Sequence, residues 1–263
     1  MSEVLGVDVS HYQGNIDWSK VAKDGKKFAI LKCQYEAQSH RIDETFEHNY
    51  AEAGKNGLAR GVYIYIARAS MADPELDARS LLDHLKGRKL EYGIWLDLED
   101  KYLGAKGKLY IRDLAFKYAD IFMKAGYFVG IYCNRDWYTR LIHNDLKQVF
   151  DFWIARYPAN DRGVYNPNSN LKPSKYGVAW QYSSKGYVYG IPTKCDLDVD
   201  FDGVIELTGQ RKTNEDIARE VLDGKWGTRF TKPTRKELLT RAGYDYEIIR
   251  KMVNNYYKES IKK

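Results

Sequence analysis

Eight short apolar runs, the early ones alternating with amphipathic segments, constrain this chain more than any other feature. They lie at Val4 to Val9, Phe28 to Cys33, Gly61 to Ile66, Ile94 to Leu98, Tyr127 to Tyr132, Phe152 to Ala155, Val178 to Tyr182 and Leu197 to Phe201. Each is rich in β-branched or aromatic residues and has the length of a strand. Helix-like segments fall at Glu44 to Asn56, at Pro74 to Lys86 behind an Asp73 cap, and at Tyr110 to Lys124, with Gly57, Gly87 and Gly126 as stops. Strands that alternate with helices pair in parallel, and eight of them close into a barrel. The stretch from Asn160 to Lys175 is poor in helical pattern. The expected fold is therefore α/β, an irregular TIM-like (β/α) barrel whose second half departs from the regular plan.

Polar and aromatic residues follow each apolar run. Asp8, Ser10 and His11 follow the first, Tyr63 and Tyr65 close the third, and Asp97 and Glu99 close the fourth. Tyr132 and Asn134 end the fifth, Arg156 and Tyr157 the sixth, Gln181 and Tyr182 the seventh, and Asp196, Asp198 and Asp200 surround the eighth. If all strands are parallel, these residues gather at the one face where barrel enzymes keep their sites. Asp97 and Glu99, two apart, project the same way from a strand end, so one can act as an acid and the other as a carboxylate. The alternative for such a pair is a turn or a helix cap. No Gly-rich phosphate loop follows any strand, and the 5 scattered His do not form a metal cluster, so neither metal nor cofactor is expected.

The 22 Tyr suit sugar stacking as well as ordinary packing. Cys33, Cys133 and Cys195 are odd in number and widely spaced, which predicts buried free thiols. No long apolar stretch and no charged-then-apolar leader is present, so synthesis in the cytoplasm without a signal peptide is expected, with no membrane partner. Residues 209–263 carry 14 Lys+Arg against 8 Asp+Glu, so the whole net charge of +6 lies in the tail. That asymmetry suits a polyanion or a solvated helical face. No nucleic-acid-binding pattern accompanies it. The tail predicts a small three-helix bundle. Its inward residues are Ile217, Val221 and Leu222, then Leu238 and Leu239, then Ile248, Ile249, Met252, Val253 and Tyr256.

Three motifs recur in the right order: Gly6-Val7-Asp8-Val9-Ser10-His11-Tyr12-Gln13-Gly14, Trp95-Leu96-Asp97-Leu98-Glu99, and Trp180-Gln181-Tyr182 with Cys195-Asp196-Leu197-Asp198. Through them residues 1–208 resemble the family 25 glycoside hydrolases, the Chalaropsis-type lysozymes common among bacteriophage endolysins. The resemblance implies a flattened barrel lacking its last helices. It also implies N-acetylmuramidase activity on the β-1,4 bond between N-acetylmuramic acid and N-acetylglucosamine of peptidoglycan, leading to host lysis. Glu99 is implied as general acid and Asp97 as second carboxylate, acting through the substrate's N-acetyl group or through water. Asp8 and Asp196 complete the acids, with Asp198 the rival of Asp196. Tyr63, Tyr65, Tyr132, Trp180, Gln181 and Asp198 would contact sugar.

The tail resembles a single CW_7 cell-wall-binding repeat through Ile217 to Gly227 and Ala242 to Tyr246. A linker over 209–213 would lead into a module over 214–259 that binds muropeptide, with Arg235, Tyr244 and Asp216 as contacts. Glu220 and Asp223 read as solvated. A binding protein without catalysis and an endo-N-acetylglucosaminidase are the alternative functions. A chitinase-type strand would carry an Asp where Trp95 stands.

Overall fold

The computed structural model describes residues 3–34, 41–204, 214–228, 230, 234–241 and 244–261. All eight apolar runs form strands: β1 (Val4–Val9), β2 (Phe28–Lys32), β3 (Ala59–Tyr65), β4 (Ile94–Asp97), β5 (Val129–Asn134), β6 (Phe152–Ala155), β7 (Ala179–Gly186) and β8 (Cys195–Asp200). They close into one barrel in sequence order. Strands β1 to β7 pair in parallel. β8 runs antiparallel to both of its neighbours, which corrects the expectation of eight parallel strands. The cause is the connection: residues 187–194 join β7 to β8, whereas a parallel crossover needs a dozen or more residues.

Helices α1 (Trp18–Lys23), α2 (Phe46–Lys55), α3 (Pro74–Leu85), α4 (Lys101–Gly104), α5 (Gly107–Lys124), α6 (Arg135–Arg140) and α7 (Asn144–Val149) fill the connections as far as β6. The start of α3 shows why the chain turns helical where it does: Asp73 accepts the Leu76 N–H at 3.0 Å and Pro74 occupies the first turn. Residues 156–178 contain no helix.

Strand alternation sorts the side chains into two cores. Val7, Val9, Leu31, Ile64, Leu96, Ile131, Ile154, Leu197 and Val199 face outward into the helices and loops. Phe28, Ile30, Trp95, Tyr132 and Trp153 fill the barrel interior. Two glycines make room for that inner layer. A Cβ on Gly6 would stand 2.5 Å from the Phe28 ring, and one on Gly130 would stand 2.4 Å from the Trp95 ring. Cys33, Cys133 and Cys195 are buried and free.

The tail forms the expected three helices, α8 (Asn214–Leu222), α9 (Arg235–Arg241) and α10 (Tyr246–Ile261), while the expected linker lies outside the described residues. Ile217, Val221, Trp226, Leu238, Leu239, Tyr244 and Ile249 make its core, against which Met123 of α5 and Val149 of α7 also pack. Leu222 and Ile248, expected inward, are exposed. Glu220, expected to be solvated only, accepts the Trp226 indole N–H at 2.9 Å and so ties the helix to the turn that follows it.

Candidate active site

The reversed β8 sets the layout of the mouth. Because it enters the barrel at the face where the parallel strands end, its first residues meet their last ones. Asp8 pairs in register with Asp196, while Asp198 lies beside Gly6 and Gln181, one layer deeper. Asp200 reaches the opposite end, level with Val4, where it accepts the Asp202, Gly203 and Val204 N–H groups. Of the three acids expected near the mouth, only Asp196 lines it.

One cleft of about 220 Å³ is lined by Asp8, Asp97, Glu99, Asp196, Tyr63, Tyr65, Tyr132 and Gln181, among others. Asp97 ends β4, and Glu99 follows on the same side, as the two-residue period requires. Asp100, one residue later, caps α4 by accepting the Tyr102 and Leu103 N–H groups at 2.8 and 3.1 Å. The chain therefore turns away immediately after presenting the pair. Gln181 knits the opposite wall. Its amide nitrogen donates to Asp8 at 2.7 Å, and its oxygen accepts the Tyr132 hydroxyl at 2.8 Å and the Tyr157 hydroxyl.

Burial, joined at Asp8, Asp196 and Asp198 by crowding of like charge, raises four of the acids at and below the cleft above their ordinary values. Asp8 is raised well above the ordinary aspartate value, first by burial and then by Asp198. Asp196 is pushed up to about 9 by burial, then by Asp8 and Glu99. Glu99 is raised by burial. Asp198 is also raised, by burial and then by Asp196, while its carboxylate accepts the Trp153 indole N–H at 2.9 Å. Among the described residues, no group of three or more His, Cys, Asp or Glu could hold a metal ion.

Two residues expected to contact sugar stand elsewhere. Trp180 is 2 % exposed and packs in the outer core with Tyr165 and Tyr182, its indole N–H donating to the Arg156 carbonyl at 2.8 Å. It neighbours Gln181 in an extended strand, so the two point to opposite faces. Asp198 lies below the floor, fully buried. Other strand-end residues serve the scaffold. His11 turns to Asp43 at 2.6 Å, Asn134 caps α6, and Arg156 braces the Asn170 carbonyl. In the tail, Arg235 donates to the Gly227 carbonyl at 3.0 and 2.6 Å, and Tyr244, 8 % exposed, stands edge-on to Trp226. Asp216 is exposed on α8.

Lys32, Tyr12 and Gln13 also line the cleft and were not among the expected contacts. Lys32 had a legible signal, since it shares the inward face of β2 with Phe28 and Ile30. Its ammonium lies 5.8 Å from the Tyr12 and Tyr65 rings and 5.9 Å from that of Tyr63.

Two carboxylates at a strand end, facing further acids across the tyrosine-lined mouth of a (β/α) barrel, define the class as a glycoside hydrolase. Residues 7–191 match the family described as Glycosyl hydrolases family 25, and residues 215–256 match the CW_7 repeat. The chain belongs to glycosyl hydrolase family 25. An autolytic lysozyme of Clostridium acetobutylicum is 30% identical over 200 residues, which is 76% of this chain and 56% of that relative. The chain thus spans little more than half the length of that relative. The lysozyme of Streptomyces coelicolor superposes with a TM-score of 0.59 at 26% identity, covering 79% of this chain and 98% of that one. The modular autolysin LytC of Streptococcus pneumoniae, solved with a synthetic peptidoglycan ligand, gives a TM-score of 0.62 at 26% identity over 76% of this chain and 47% of its own.

Proposed function

We infer that the protein is an N-acetylmuramidase that cuts the β-1,4 bond between N-acetylmuramic acid and N-acetylglucosamine in bacterial peptidoglycan. The observation that carries this reading is the convergence of Asp97 and Glu99 with Asp8 and Asp196 on one tyrosine-lined cleft. Glu99, protonated beyond the ordinary glutamate range through burial, gives its proton to the glycosidic oxygen as that bond breaks. Asp97 meets the positive charge that develops on the sugar, through the substrate's own N-acetyl group or through the attacking water. Asp8, held by Gln181, and Asp196 form the opposite wall, and as protonated acids they offer hydrogen-bonding groups that orient the sugar. Tyr63, Tyr65 and Tyr132 flank the sugar.

The CW_7 repeat would hold the enzyme on the wall by binding muropeptide, with Arg235, Tyr244 and Asp216 as its candidate contacts. Release from a host cytoplasm to lyse the cell, as an endolysin does, belongs to the same proposal. Among the described residues no helix is long and apolar enough to cross a membrane. The test is mass spectrometry of fragments from purified walls. Muramic acid at the new reducing ends supports the assignment, whereas N-acetylglucosamine there makes the enzyme a glucosaminidase. The anomer of the first product, read by proton NMR, separates a substrate-assisted from an inverting course.

A further inference from the structure

The cleft of about 220 Å³ falls below the roughly 300–1,000 Å³ of sites that enclose a drug-sized ligand. It can surround only the reacting part of a polymer. The rest of the strand must run over the surface, and the β7–β8 connection offers a path. Val188 and Ile191 bury themselves in the outer core, the Gly190 carbonyl accepts the Asp17 N–H at 2.9 Å, and the Val188 carbonyl accepts the Ile191 N–H at 3.0 Å. The connection is thereby pinned onto the start of α1. With Val188 and Ile191 turned inward, the tyrosines on either side of Val188 face outward, and Tyr187 is 78 % and Tyr189 61 % exposed.

Both rings carry a lysine: Lys194 lies 5.5 Å from the Tyr187 centroid and Lys20 lies 5.4 Å from that of Tyr189. The loop is also tied to the cleft. Gln13 donates to the Lys194 carbonyl at 3.1 Å, and Thr193 donates to the carbonyl of Tyr12, a cleft residue that is itself 66 % exposed. Three exposed tyrosines on a fixed support, two of them outside the cleft and each with a lysine beside its ring, suit a partner that offers flat sugar faces and carboxylates together.

We propose that Tyr187 and Tyr189, with Lys194 and Lys20, form a surface subsite that binds the peptidoglycan strand beyond the catalytic cleft, as an aminosugar polymer bearing peptide carboxylates. This rests on the muramidase reading. The side chains are exposed, so the double variant Tyr187→Ser/Tyr189→Ser keeps its fold. Its kcat/KM on long glycan strands stripped of phosphate-bearing wall polymers falls about tenfold, while turnover of a short soluble tetrasaccharide is kept. An equal loss on both substrates, or none on the strands, overturns the subsite. A loss that appears only when the phosphate polymers are left on the wall also overturns it, in favour of a polyphosphate site. Binding of the stripped strands to Glu99→Gln, with and without Tyr187→Ser/Tyr189→Ser, separates the hypotheses. Weaker binding supports the subsite even if the unmodified chain releases no sugar, an outcome that would sink only the muramidase reading.

Discussion

At the scale of single residues, the site is a problem of proton placement. Glu99→Gln keeps the shape of the side chain and removes the transferable proton, so release of reducing sugar from walls falls by about 10²–10⁴-fold while wall binding persists. Unchanged turnover in that variant would remove Glu99 from the role of acid. Burial raises the pKa of Glu99 above its ordinary 4.5, and only the protonated form can donate. Activity is therefore lost as pH rises through that elevated value, and the alkaline limb of kcat/KM against pH stands above 4.5. A limb at or below the ordinary value would show that the acid is a different, solvated group. Asp97, Glu99 and Asp8 were legible from the sequence because strand ends and a two-residue period locate them. Gln181 as the brace of Asp8 was not, since its partners come from β1, β5 and the loop after β6, far away along the chain.

At the scale of elements, the eight strands and the long helices could be read in the sequence from local periodicity. The direction of β8 could not, because an apolar run looks the same from either end. Only the connection over residues 187–194 reveals the reversal, and its brevity matters only once β7 and β8 are known to be neighbours. The same alternation explains Trp180. Its motif position suggested the sugar, yet its parity with Gln181 puts it on the outer face. Trp180→Ala is expected to cost about 3–5 kcal/mol of stability in urea unfolding while leaving the KM for soluble fragments unchanged; a raised KM at unchanged stability would return it to the cleft. Gly130→Ala presses a methyl against Trp95 and costs about 1–3 kcal/mol, measured the same way.

At the scale of the whole molecule, the crowded acids set stability against function. Asp196 is raised from 3.8 to about 9, so the folded chain holds that proton more tightly than the unfolded one. Its contribution is fully present below pH 3.8 and is lost as pH climbs toward 9. Asp196→Asn therefore gains thermal stability over the unmodified chain at pH 8, and the gain fades near pH 4. A constant difference across that range would mean that Asp196 does not carry the shifted proton. Trp226→Ala removes the centre of the tail's core and the bond to Glu220, so wall affinity drops in a sedimentation assay while hydrolysis of soluble fragments continues. The reversal of β8 also decides where the tail leaves the barrel. A strand that runs downward carries the chain from the mouth to the base without a return helix, and the tail core meets Met123 and Val149 at the ends of α5 and α7. A wall contact made through the tail, as proposed above, would therefore fall at the pole of the barrel away from the cleft, and anchorage and cutting would not compete for the same surface.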